Sequence, residues 1–375
     1  ETVDKRVHAV LITGDVYTSA DHNLTAQLDY VRLLHKLAQN NIQVFAVLGN
    51  HDPLEAWKAK IPFPPHVHVF PTDAVERVPL VVDGEEVAAI YGQSYAKSEQ
   101  RDNLAWKFNR AAGDRFSIGM LHTQVGSRDS TYAPCTLEDL KECGMDYWAL
   151  GHIHKHEILC EKPYVVYAGN PQGLDCTETG PRGCYYVEVG PYGTTDLEFI
   201  DTSIVRWESI DLAIDGIESV SELRESVRFA KEKVRRDIGK PTFLTVNFTG
   251  SGSMYHVLNN PEATQYWLES WREEEQGKYA FVMVERLRNL ARPKMNMDER
   301  SKLPDSVGDY LNVFDKLEKL APEERAKALR DILMSRPEFE RLGAYGRALT
   351  DQRLLETFEK AKWLGVQKLL EHRRG

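Results

Sequence analysis

The feature that most restricts how this chain can fold is a repeated one: a short, unbroken apolar run that stops abruptly at polar residues, usually introduced by glycine. Val7–Thr13 runs into Gly14-Asp15 and Val44–Leu48 into Gly49-Asn50-His51-Asp52. Phe116–Leu121 runs into His122, and Tyr147–Leu150 into Gly151-His152-Ile153-His154. Apolar runs that are continuous, not alternating, describe strands covered on both faces. The stretch Leu24, Leu28, Val31, Leu34 and Leu37 has helical spacing behind a good N-cap, Asn23. Two further runs, Val165–Ala168 and Tyr185–Val189, continue the pattern. The expected class is α/β, a layered sandwich core over residues 1–204. In such sheets ligands collect at the carboxyl ends of strands. The polar residues fall at those ends.

From about Val205 the pattern changes. A strand over Val205–Leu212 precedes a helix carrying Val220, Leu223, Val227, Ala230 and Val234 on one face. Strands over Phe243–Phe248 and Tyr279–Val284 flank a helix around Ala263–Glu274. Residues 205–292 thus read as a small α+β domain with a core of its own. Residues 293–375 read as a helical segment with two apolar stripes, Tyr310, Phe314 and Leu317 on one helix and Leu354, Phe358, Ala361 and Leu369 on another. Packing of these stripes on residues 205–290 and contact with a partner are both open at this stage. The Lys231-Glu232-Lys233-Val234-Arg235-Arg236 run reads as a solvated helix face.

Composition excludes several classes. No apolar run approaches the ~18 residues of a membrane span. The opening Glu1-Thr2-Val3-Asp4-Lys5-Arg6 has no apolar region of the kind a signal peptide needs. The five cysteines include no C-x-x-C pair, which disfavours a disulfide framework and suits free thiols in a reducing cytoplasm. Residues 1–200 hold 17 Lys+Arg against 27 Asp+Glu, so the whole net charge of −10 sits there. That half lacks the basic face of a self-sufficient nucleic-acid binder. Ten of the twelve histidines fall between His8 and His156, and this clustering marks where the chemistry lies.

The residues at the strand ends are carboxylate, amide and imidazole, with no thiolate. That set suits Mn²⁺, Fe or Zn and argues against a structural cysteine site. Glycine before a ligand lets the backbone turn sharply. A second His-x-His, His66-Val67-His68, follows prolines and reads as a loop-to-strand junction. His156 reads as solvent-exposed, and Arg182 as part of a turn.

The ordered set Gly14-Asp15, Gly49-Asn50-His51-Asp52, His122 and Gly151-His152-Ile153-His154 resembles the calcineurin-like metallophosphoesterase superfamily. Met120–Gly126, Tyr132-Ala133-Pro134-Cys135, Met145–His154, Tyr167–Gly173 and Glu178–Cys184 are similar to the SbcD/YhaO-type DNA-repair exonuclease branch. The likeness covers nearly all of residues 7–200, weakens where the family carries a capping domain, and is faint in the C-terminal helices. It implies that Asp15 bridges two divalent ions, most suitably Mn²⁺. Asn50, His122 and His152 would bind one ion, and His154 would help bind the other. His51 would act at the scissile phosphate, with Asp52 orienting its ring.

The family also opens with a strand carrying Asp-x-His, and no such motif precedes Gly14-Asp15. One metal site is therefore incomplete within these residues. A further ~40–60 upstream residues are expected, the size of a strand, loop and helix. The function implied is a two-metal DNA nuclease in the cytoplasm, paired with an SbcC-like coiled-coil ATPase and with a second copy of itself. Hydrolysis of small phosphodiesters or nucleotides and a non-catalytic docking role are the alternatives.

Overall fold

The computed structural model describes residues 3–56, 61–127, 129–295, 297–340 and 349–371. The chain divides into two compact units, one of residues 1–209, 237–244 and 277–283, the other of 210–236, 245–276 and 284–375.

The first unit is built on two sheets. Strands β1 (Ala9–Ile12), β2 (Gln43–Ala46) and β3 (Val67–Val69) form a parallel three-stranded sheet in that order. Its outer face is closed by helix Leu24–Gln39, where Leu34 and Leu37 pack with Ile42 and Val44. The Asn23 side chain accepts from the Ala26 amide and caps that helix as its sequence implies.

The second sheet has six strands: β4 (Glu76–Val82), β5 (Glu85–Gln93), β6 (Ser117–His122), β7 (Tyr147–Gly151), β8 (Glu157–Glu161) and β9 (Tyr164–Tyr167). Their order is β4-β5-β6-β7-β9-β8, parallel from β5 through β6 and β7 to β9, with antiparallel edges. Successive residues of a strand face opposite ways. Met120, Tyr147, Ala149 and Val166 accordingly join Phe45, Val47 and Phe70 in one buried layer. Leu121, Trp148, Leu150, Val165 and Tyr167 join Tyr95, Phe108 and Leu140 in a second layer on the other side. The hairpin β10 (Gly183–Val189) and β11 (Thr195–Asp201) adds Tyr185, Val187 and Leu197 to the first layer. This is the layered α/β sandwich that the unbroken apolar runs require. Strands β4 and β5 are a hairpin that the apolar runs alone do not reveal. Exposure in β4 alternates along an edge that carries Pro79, the pattern of a half-covered strand.

In the chain's later part, strands Arg206–Ala213, Thr242–Thr249 and Val282–Asn289 form one sheet. The last lies a few residues beyond the expected Tyr279–Val284; Tyr279 is 90% exposed. Helix Val220–Ile238 presents Glu232, Lys233 and Arg236 to solvent as expected, but not the whole of its basic run. Lys231 is buried, with Nζ 2.9 Å from Glu275, and Arg235 lies 2.8 Å from the same carboxylate. A buried charge of this kind must be paired, and the pairing withdraws both cations from contact with a polyanion. The two C-terminal apolar stripes pack on one another. Phe314 of helix Ser306–Glu318 meets Phe358 of helix Asp351–Glu371 at 4.8 Å between ring centroids, and the Tyr310 hydroxyl donates to the Ala361 carbonyl at 2.8 Å.

Gly119 and Trp148 are directly paired across β6 and β7, and a Cβ on Gly119 would lie 2.4 Å from the buried Trp148 ring. Gly119→Ala should therefore destabilise the protein by roughly 1–3 kcal/mol through overpacking. Urea unfolding should show a lower midpoint at unchanged m-value, and an unshifted midpoint would contradict this packing.

Candidate metal centre

Four strand ends meet at one place. Strands β1 and β2 deliver Asp15 and Asn50 just past their carboxyl ends, β6 ends on His122, and β7 is followed by His152. The metal-ligating atoms of Asp15, His122 and His152 all lie within 4.8 Å of one another. His122 has no solvent exposure. Its Nδ1 is 2.8 Å from the Thr13 carbonyl, which can only accept, so that nitrogen carries the hydrogen. In the neutral ring Nε2 is then a bare lone pair. It faces Asn50 Oδ1 at 2.9 Å and Asp15 Oδ2 at 3.2 Å. His152 Nδ1 approaches the same Asn50 oxygen at 3.2 Å. Acceptors converge on one point that only a shared proton or a cation can satisfy. The donor set fits a divalent ion of the oxygen- and imidazole-preferring kind.

The electrostatics agree. Burial pushes the Asp15 carboxyl up, but the His122 ring in its protonated form, together with the His51 backbone amide, outweighs it and holds the group below the usual range. Burial, reinforced by the neighbouring His122, lowers His152 to about 4, so its ring is neutral and its lone pair free near pH 7.

Close approach explains Gly49 and Gly151, and it adds to the left-handed turn at Gly14. A Cβ on Gly151 would sit 1.9 Å from the Thr13 carbonyl oxygen, and one on Gly14 would sit 2.8 Å from His122 Nδ1. Left-handed backbone falls on Gly14 at φ 92° and also on the ligand-bearing residues themselves, Asp15 at φ 56° and His152 at φ 98°. Strain of this kind persists only where the surroundings impose it.

Two of the expected roles look different in place. Asp52, expected against the His51 ring, is buried and spends its carboxylate on backbone. Oδ1 accepts from the amides of Gly49 at 2.7 Å and Asp15 at 3.1 Å, and Oδ2 from Val16 at 2.9 Å. It is a clamp joining the two ligand loops. His154 does not join the Asp15–His122–His152 group. Its Nδ1 lies 2.5 Å from Glu178, and its side chain is 45% exposed. His51 is exposed, and its amide donates to Asp15 Oδ1 at 2.8 Å.

Other residues around the centre carry no metal-ligand pattern in the sequence. Tyr132 lies over the His152 ring at 4.6 Å, and Tyr95 meets His122 edge-on at 5.4 Å. Arg182 is buried and donates to the His154 carbonyl. His156, expected in solvent, stacks on Phe199 at 3.8 Å. His68 pairs with Glu76 away from the centre.

An α/β sandwich with carboxylate, amide and imidazole ligands gathered at its strand ends is the arrangement of a metal-dependent phosphoesterase. A family model described as calcineurin-like phosphoesterase matches residues 2–156, and one described as the middle domain of metallophosphoesterase YhaO matches residues 207–292. The chain is 32% identical over 299 residues to the uncharacterized metallophosphoesterase YhaO of Bacillus subtilis (strain 168), spanning 79% of this chain and 72% of that protein. It is 21% identical over 360 residues to the DNA double-strand break repair protein Mre11 of Sulfolobus acidocaldarius, covering 90% of this chain and 86% of that one. The Haloferax volcanii protein of the same name is 26% identical over 235 residues, 61% of this chain and 50% of the relative. The chain belongs to the calcineurin-like metallophosphoesterase family, in its YhaO-type branch.

Two measurements check this geometry. Asp52→Ala strands three backbone donors and should cost roughly 3 kcal/mol, with weakened Mn²⁺ binding because Asp15 and Asn50 lose their common anchor. Unaltered binding would refute the clamp. His152 titrates at about 4 in the folded chain and near the ordinary imidazole value of 6.5 in the unfolded one. The unfolded chain then binds more protons between those values, so metal-free stability should fall as pH drops from 6.5 to 4. His152→Asn should flatten that limb in thermal unfolding.

Proposed function

We propose that this chain is a divalent-metal-dependent nuclease that hydrolyses phosphodiester bonds of DNA, in the manner of an exonuclease. The observation that carries the reading is the convergence of Asp15, Asn50, His122 and His152 at the strand ends. The DNA substrate is supported by the relatives named as DNA double-strand break repair proteins. In this reading Asn50, His122 and His152 would hold one ion, Asp15 would be shared with a second, and His154 would help to hold that second ion. The proposed ion is Mn²⁺. Bound there, such a pair supplies an activated hydroxide and neutralises the phosphate.

His51, at the exposed rim, is proposed to stabilise developing charge with its ring and to protonate the leaving oxygen. Its backbone amide meanwhile fixes Asp15. Residues 205–292 would serve as a capping domain and 293–375 as a helical segment. Five cysteines without a C-x-x-C pair suit a cytoplasmic setting, and no helix among the described residues is long and apolar enough to cross a membrane. The −10 charge of residues 1–200 opposes unaided binding of a polyanion. A partner is therefore proposed, a coiled-coil ATPase of the SbcC type, together with a second copy of this chain.

The test is cleavage of end-labelled single- and double-stranded DNA by the full-length protein with Mn²⁺. His122→Ala should lose both bound metal and cleavage. His51→Ala should keep the metal and lose about 10²–10⁴-fold in rate; unchanged turnover would remove His51 from the chemistry. Cleavage should fall steeply with salt, with a slope set by the phosphates neutralised. Efficient hydrolysis of a small phosphodiester without action on DNA would replace this reading with the small-substrate one.

A further inference from the structure

His154 stands apart from the gathered ligands, and what holds it there is specific. Glu178 lies in the loop after β9, with its side chain 14% exposed. Its Oε2 accepts from Asn170 Nδ2 and from the Leu174 amide, each at 2.8 Å. Its Oε1 lies 2.5 Å from His154 Nδ1. The same loop grips the backbone of His154, whose carbonyl accepts from the Asn170 amide at 3.0 Å and from the buried Arg182 guanidinium. The loop is itself fixed. Gln172 exchanges hydrogen bonds with Val205 and Ile204, and Trp207 Nε1 donates to the Gly173 carbonyl at 3.1 Å.

A carboxylate whose other oxygen already takes two N–H donors offers His154 only an acceptor. Nδ1 must therefore carry the hydrogen, and the neutral ring keeps its lone pair on Nε2. A carboxylate that fixes the tautomer of an imidazole in this way is a recurring support for metal-binding histidines.

We propose that Glu178 is a positioning residue, one that locks His154 in its Nδ1–H form and so presents Nε2 to the second divalent ion. This rests on the two-metal reading above and adds to it the group that makes His154 a ligand. The contact does not bury the ring, which keeps 45% of its side-chain exposure. Arg182 complements it by holding the main chain through the His154 carbonyl.

The chemistry makes an unusually sharp test available. In Glu178→Gln the side chain keeps its shape, but its amide nitrogen cannot face Asn170 Nδ2 and the Leu174 N–H, which are donors. The carbonyl oxygen must take that side, and the NH₂ must point at His154. Nδ1 then becomes the acceptor and the hydrogen moves to Nε2, where it blocks ligation. Glu178→Asp retains an acceptor with no proton and should restore the original form.

The experiment is ¹⁵N-resolved NMR of the histidine rings in metal-free full-length protein, followed by calorimetric Mn²⁺ titration. Wild type and Glu178→Asp should show His154 as Nδ1–H, and Glu178→Gln as Nε2–H. In Glu178→Gln the weaker Mn²⁺ site should lose about 10–100-fold in affinity, while the stronger one and the melting temperature stay unchanged. His154 remaining Nδ1–H in the Gln variant would overturn the proposal, as would an inverted tautomer with an unchanged weaker site. Wild-type protein that takes up no Mn²⁺ at all would instead overturn the two-metal reading, and the ring spectrum would still decide whether Glu178 sets the tautomer.

Discussion

The centre depends on one ring that water never reaches. His122 ends β6, one of the two central strands of the six-stranded sheet, yet its Nδ1 binds the Thr13 carbonyl at the end of the three-stranded one. That bond ties the two sheets together at the edge where the ligands gather, and it also decides which nitrogen faces the centre. A surface histidine would have water to satisfy either nitrogen. Buried at 0% exposure, this one has the Thr13 carbonyl on one side and the oxygens of Asn50 and Asp15 on the other. The glycines next to Asp15 and His152 are consequences of the same bond, because a Cβ at either would strike Thr13 or His122.

Asp52 shows how a short motif divides its labour. Within Gly49-Asn50-His51-Asp52, Asn50 turns its oxygen toward the imidazoles and His51 stays at the rim. Asp52 folds back beneath them to take the amides of Gly49, Asp15 and Val16. A buried carboxylate is costly unless well bonded; here burial raises the Asp52 carboxyl, and the three amides oppose that rise. The loops after β1 and β2 are thereby held to a common geometry before any ion arrives, which is what a preorganised site needs. Glu178 stands in a parallel relation to His154, with a carboxylate near the site again bonded to its support.

Much of the core was legible from the residues themselves. Unbroken apolar runs told that the strands are covered on both faces, and the polar residues after them told where a ligand site would lie. In the missed hairpin β4–β5, strand β4 alternates because one face is open, and alternation is a weaker signal than a run; β5 is buried without a break from Ala88 to Gln93. The Lys231–Arg236 stretch looked solvated because sequence shows charge but not its partner; Glu275, some forty residues away, is what makes burial of Lys231 tolerable. The apolar stripes of the C-terminal helices were visible, but whether they meet each other or something else is a question of pairing, which periodicity does not answer.

By itself the sequence determined the kind of chemistry, because side-chain type is local: carboxylate, amide and imidazole without thiolate restrict the ions such a centre takes. It also determined the order of the strand ends, since a break in hydrophobicity is written at each of the four and a glycine at three of them. Tertiary structure decided the assignments. Asp52 is set apart from Asp15 by the backbone amides it accepts while Asp15 faces His122, and His154 from His152 by meeting Glu178 where His152 meets Asn50. Those differences arise from contacts between residues distant in the chain, such as the 109 positions that separate His122 from Thr13. The proton on a buried ring is placed by whichever acceptor the fold brings to it, and no local pattern encodes that.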